Sequence, residues 1–305
     1  MALANTKEIL RLSLQWVSLM WEKNSMLFSS DMMIQALSIS KLCRILSPET
    51  NDLSIKISAS IINGNNSLDW NKSDLISSWI AVSEVLSNNN VEKKTEVIAY
   101  LNLLKDVLQG DGVHKKIGFS NFALFGVSPT SVPESEIVNF IKPLSNSGVI
   151  VSSDLNNLET ILSYIEQVSS YGILQSTKFN SLIYKLEGAA ISKLRNYDLF
   201  LAMRILRSIS YICGHNLYSV NVGLDFIKLS QCGDGSFGDY TTAISNIIRA
   251  KNLNLNESIS AELSIKLTCM MQSIWTISVI EQSENNVFHR VFNDGKGLMQ
   301  LCEMS

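Results

Sequence analysis

Apolar residues recur along most of this chain at helical steps rather than in alternation. Leu10, Leu14, Val17 and Trp21 step by four, three and four, behind an Asn5…Glu8 pattern that predicts a capping box. Leu75, Trp79, Val82 and Leu86 repeat the spacing after Ser73-Asp74, and Val97, Leu101, Leu104 and Leu108 continue it. Further helices are predicted through Leu158, Ile161, Leu162, Ile165 and Val168, and through Ala202, Ile205, Leu206, Ile209 and Ile212. The longest pattern runs Ile259, Leu263, Leu267, Met270, Ile274 and Ile277, with Met271 and Trp275 on its other faces. A helix over 258–281 that is apolar nearly all round is expected to be buried. Strand-like segments are confined to Ser54-Ile55-Lys56-Ile57 and Gly148-Val149-Ile150-Val151, neither with a hairpin partner. The chain reads as all-α, a single domain over residues 1–305. Residues 126–150, with Pro129, Pro133 and Pro143, form a long internal connection.

Composition narrows the function classes. A net charge of −3 leaves no electrostatic footprint for nucleic acid or an anionic membrane. The first residues lack a basic stretch followed by an apolar one, so no signal peptide is expected. No run approaches the ~20 apolar residues that a bilayer span needs, so no membrane span is expected either. Cys43, Cys213, Cys232, Cys269 and Cys302 are odd in number and scattered, which predicts a reduced, cytoplasmic chain.

The segment Gln231-Cys232-Gly233-Asp234-Gly235-Ser236-Phe237-Gly238-Asp239-Tyr240 carries the most information. Gly233, Gly235 and Gly238 satisfy the dinucleotide-binding spacing, with Glu257 further on. That motif needs a buried strand before it, and Lys228, Ser230 and Gln231 stand where such a strand should be apolar. The spacing of Gln231, Gly235 and Phe237 resembles instead the repeat signature of α/α-toroid proteins, the terpene cyclases and protein prenyltransferases. With its flanks the segment also looks like a poorly characterised bacterial group of toroid-like proteins. Leu103 to Gly112 echoes it, since both helices end in Gln and then Gly-Asp-Gly. The resemblance implies an α/α toroid of helical hairpins around an apolar central cavity. Phe237 takes the place of the usual Trp, a tolerable exchange for ring stacking.

The catalytic motifs of those enzymes are absent: there is no Asp-x-Asp-Asp acid and no Asp-Asp-x-x-Asp metal motif. Cys232-x-Asp234 with a distant His289 inverts the prenyltransferase zinc order and lacks a fourth ligand, so no metal and no cofactor are expected. Cys213-Gly214-His215 resembles a lanthipeptide-cyclase zinc motif loosely, and reads more simply as a helix end with His beside it. Asp234, Asp239 and Tyr240 are candidates for acid–base work at the cavity mouth, set against ordinary turn chemistry. Glu262 and Lys266 lie one turn apart on the apolar helix, either as an ion pair or as cavity groups. Met271 and Trp275 read first as core filler. In a toroid, they and Phe237 would bind the substrate. The expected function is a metal-independent tailoring enzyme, cyclase or lyase in type, acting on a small or lipid-like molecule in bacterial specialised metabolism. The alternative is a non-catalytic helical-repeat protein that binds a peptide or partner protein.

Overall fold

The computed structural model describes residues 5–46, 53–64, 155–169, 177–214 and 217–281, and these are helical with no strand among them. The elements are α1 (Thr6–Asn24), α2 (Ser30–Leu46), α3 (Leu53–Gly64), α4 (Leu155–Val168), α5 (Ile183–Arg195), α6 (Leu199–Cys213), α7 (Tyr218–Leu229), α8 (Thr241–Lys251) and α9 (Leu255–Glu281). Short 3-10 turns precede α2 and α5. The predicted helices at Leu75 and Val97, the echo at Leu103, the connection at 126–150, and Gly148–Val151, His289 and Cys302 lie outside the described residues. Ser54–Ile57 falls inside α3, where a run of Ile and Ser continues at helical rather than strand spacing.

Local signals set the helix ends. Asn5 caps α1 by accepting from the Lys7 N–H at 3.1 Å. Glu8 departs from the expected capping box: its carboxylate turns forward to Arg11. A reciprocal box stands instead at α9, where the Asn254 N–H donates to Glu257 Oε2 at 2.9 Å and the Glu257 N–H donates to Asn254 Oδ1 at 3.0 Å. The acid that completes a dinucleotide fingerprint in sequence is thus a helix-starting residue. Gly214 ends α6 at φ 76°, the helix C-terminus expected at Cys213-Gly214.

Helix α9 is the organising element. It packs against α2 and α6 most extensively, and also against α1, α7 and α8. Its first turns are part-exposed, and from Cys269 to Ile280 nearly every side chain is buried, including Trp275 and Met271. Contrary to the sequence expectation, α9 is long and apolar enough by length and composition to cross a membrane, yet 67% of its apolar window is buried inside the protein. Helix α6 is the second interior helix, with Ile205 to Ile212 buried without a break. It is flanked by α4, α5 and α7.

The Gln231 turn ties the loop between α7 and α8 to α1. The Cys232 N–H donates to Ser236 O at 2.7 Å, and the Gly238 N–H donates to Ser230 O at 2.9 Å. These bonds close the loop between α7 and α8 into a compact knot with a single Gln231–Phe237 bridge. The Gln231 side-chain amide then reaches α1, donating to Ile9 O at 3.0 Å and Ser13 Oγ at 3.1 Å, and to Gly235 O at 3.2 Å. Gly235 holds φ +95°, and a Cβ there would sit 2.3 Å from the Leu12 carbonyl oxygen. Phe237 is fully buried beneath the turn.

Gly235→Ala adds both a left-handed backbone penalty and a clash with α1. It should destabilise the protein by ~2 kcal/mol or more in urea unfolding. Gln231→Leu removes the amide bonds to α1 and should lose ~1–3 kcal/mol.

Candidate functional site

Lys266 and Cys269, three residues apart on α9, face the Gln231–Tyr240 turn. Lys266 pairs with Glu262 at 2.7 Å, and the Glu262 side chain is 45% exposed, so it sits on the outer part of α9 rather than in the core. Asp234 Oδ1 accepts from the Ser236 N–H at 2.9 Å and its hydroxyl at 2.6 Å. Partial burial alone would raise the Asp234 carboxyl. The two Ser236 bonds, the Lys266 charge and the Trp16 indole outweigh it and hold the group below the ordinary carboxylate range. Lys266 thus pairs with Glu262 and its charge also acts on Asp234, a peripheral cluster linked through one cation.

Tyr240 and Asp239 diverge from that cluster. Asp239 points to solvent and binds the Thr241 N–H at 3.1 Å and hydroxyl at 2.8 Å at the start of α8. These two bonds lower its carboxyl. Tyr240 turns inward: its hydroxyl meets Cys269 Sγ at 2.9 Å and its ring lies 5.5 Å from that of Phe200. Gly238 at φ +75° makes room, since a Cβ there would fall 2.6 Å from the Tyr240 ring. Burial raises the Tyr240 phenol and pushes the Cys269 thiol up to about 11, so both stay neutral. Cys232 is half-buried and free, its Sγ 3.6 Å from Gly238 O. Among the described residues no group of three or more His, Cys, Asp or Glu is placed to hold a metal ion.

A second constellation lies deeper, at the seam of α6 and α9, and sequence reasoning missed most of it. Arg204, Arg207 and Tyr211 follow an i, i+3, i+7 spacing on α6. Arg204 forks onto Glu166 of α4 at 2.8 and 2.7 Å, and donates to Ser163 Oγ at 2.8 Å. Arg207, only 2% exposed, turns to α9. It donates to the Gln272 carbonyl at 3.2 Å, to Gln272 Oε1 at 2.6 Å and to Thr276 Oγ1 at 2.8 Å. Its guanidinium stacks 4.2 Å above the Trp275 ring. All these partners are neutral. Arg207 Nε and the Tyr211 hydroxyl are buried without a well-formed hydrogen bond, and the hydroxyl lies in reach of both the Arg207 guanidinium and Trp275.

Burial lowers the Arg207 pKa, opposed by Tyr211 and by the more distant Glu166, and raises the Tyr211 phenol. A guanidinium starts so high that it stays charged. Among the described residues, the seam thus holds a desolvated cation with no carboxylate in contact. The one trace in the sequence is polar residues on the otherwise apolar α9: Gln272 and Thr276 stand one turn apart, the spacing that lets both face Arg207. Of the residues expected to bind substrate, Trp275 belongs to this seam. Met271 and Phe237 are buried core residues.

Comparison of the chain with protein-family models, with curated proteins and with solved structures gives no match. The functional reading therefore rests on these two clusters.

Because the native Asp234 carboxyl is depressed, its stabilising contribution is complete above the unfolded value of ~3.9 and is lost as pH falls through the folded value. Asp234→Asn should cost about 1 kcal/mol at pH 7, and the difference from the parent protein should vanish in acid, read by urea unfolding across pH. Native-state alkylation at pH 8 should spare Cys269, whose thiolate is only about one part in a thousand there, until denaturant exposes it.

Proposed function

We propose that the protein is an α/α-hairpin, toroid-type protein that takes a small organic molecule between its interior helices. We read it further as a metal-independent tailoring enzyme, cyclase or lyase in type, of bacterial specialised metabolism. The toroid part rests on the Gln231-x-x-x-Gly235-x-Phe237 resemblance and on the two interior helices flanked by others. The ligand part is carried by one observation: Arg207, Tyr211, Gln272 and Thr276 gather beside Trp275 inside an otherwise apolar core. A buried polar set of this kind is less stable than a well-packed apolar one, so stability does not account for it. A largely apolar site with a few convergent polar groups is the usual form of a small-molecule site.

Asp234, Asp239, Tyr240, Glu262 and Lys266 take a secondary place in this reading. Each is engaged in a turn, a cap, a thiol contact or an ion pair. A second reading, recognition of a peptide or partner protein, is favoured by the outer face of α7. Tyr218, Val222, Phe226 and Leu229 recur there at helical spacing and are 83%, 45%, 37% and 60% exposed.

A thermal-shift screen of small organic molecules, with stoichiometry from calorimetry, separates the two. The expected result is a one-to-one ligand whose binding is weakened by Tyr211→Phe and untouched by Phe226→Ser. Tyr211→Phe should itself change stability by no more than ~1 kcal/mol, because the lost hydroxyl makes no well-formed hydrogen bond. Absence of any such ligand, with peptide binding abolished by Phe226→Ser, would decide for the surface reading.

A further inference from the structure

We infer that the interior seam is a carboxylate-binding site, in which Arg207 and Tyr211 receive the acid group of a small organic acid against Trp275. The inference rests on the small-molecule reading and names its ligand class. Its first ground is charge. Arg207 is buried with the Gln272 carbonyl, the Gln272 amide oxygen, the Thr276 hydroxyl and an indole face as its partners, none of them anionic. The nearby carboxylate of Glu166 has both oxygens engaged by Arg204. Burying a cation without a contacting anion is strongly unfavourable, and an incoming monoanion removes that penalty.

The second ground is the pattern of unused donors. After its bonds to α9, Arg207 retains the Nε–H and one Nη2–H, and the Tyr211 hydroxyl beside it, in reach of the guanidinium and of Trp275, makes no well-formed hydrogen bond. The two residues lie one helical turn apart on α6, so their side chains are neighbours. One positive charge with a few convergent donors suits a carboxylate, which carries a single negative charge. A phosphate brings up to two negative charges, of which the one guanidinium offsets one. The outward face of the guanidinium fork is already held by Gln272 and Thr276, so the cation is aimed before the ligand arrives. Pre-aimed donors bind tightly because little ordering remains to be done. Arg207 Nε and the Tyr211 hydroxyl are buried, so the acid enters through a local opening of the helices.

The test uses the full chain and three probes: benzoate, its neutral counterpart benzamide, and inorganic phosphate. Calorimetry and thermal shift are run on the parent protein, Arg207→Met and Tyr211→Phe. Benzoate should bind one-to-one and raise Tm, with benzamide and phosphate at least roughly tenfold weaker, the scale of a charge-assisted hydrogen bond. Arg207→Met should weaken benzoate roughly tenfold or more while its own ligand-free Tm equals or exceeds the parent's, as expected on removing an uncompensated buried charge. Tyr211→Phe should weaken benzoate with ligand-free Tm nearly unchanged.

Equal binding of benzamide and benzoate, both weakened by Tyr211→Phe, would overturn the carboxylate assignment and leave the small-molecule reading standing. Tighter phosphate than benzoate would also overturn it. A lower ligand-free Tm in Arg207→Met with benzoate binding unchanged would make Arg207 a structural residue. Failure of all three probes to bind the parent protein would overturn the carboxylate site, and the neutral molecules of the wider screen would then decide the small-molecule reading separately.

Discussion

Burial of α9 is the constraint on which the rest of this structure depends. From Cys269 to Ile280 its side chains, Gln272 apart, are apolar or small on every face, and no single partner helix can cover such a surface. It must be surrounded, and α1, α2, α6, α7 and α8 do so. Each fully buried Leu, Ile, Met or Trp contributes roughly 1.5–3 kcal/mol relative to exposure, so the enclosure of this one helix dominates the gain that offsets chain entropy. The exposed first turns of α9 have another purpose: there Asn254 and Glu257 start the helix, and Glu262 and Lys266 pair at its side.

The Gln231 turn converts that enclosure into a closed arrangement. Helix α1 lies more than two hundred residues before the turn in sequence, and apolar packing alone would leave it free to slide. The Gln231 amide removes that freedom by binding a carbonyl and a hydroxyl on successive turns of α1, Ile9 and Ser13. Gly235 permits the backbone approach that makes the reach possible. A turn signature local in sequence thus does a long-range job, and the chemistry it uses is neutral amide and carbonyl pairing rather than charge.

The seam between α6 and α9 runs against the same economy. A core that excludes water from α9 also removes it from Arg207, and the surroundings offer that cation only dipoles and a π-face. Such a group weakens the fold in which it sits, unlike the Arg204–Glu166 pair beside it, where opposite charges meet in a two-point fork. Local conflict with an otherwise consistent core is what drew the proposed site to this seam.

What the sequence determined alone was periodic and local. Helical steps placed α1, α4, α6 and α9, and the apolar circumference of α9 foretold its burial, because the 3.6-residue repeat is written directly into side-chain order. The turn residues marked the loop before α8 through their backbone demands. Tertiary structure decided where the polar residues lie. Asp234, Asp239 and Glu262 look like chemistry in one dimension and prove to be engaged at the periphery, while Arg207 and Tyr211 occupy the face of α6 that ordinarily meets water. Whether a polar stripe meets solvent or another helix depends on which distant segments pack over it. Here α4 and α9 do, and no spacing within α6 records their arrival.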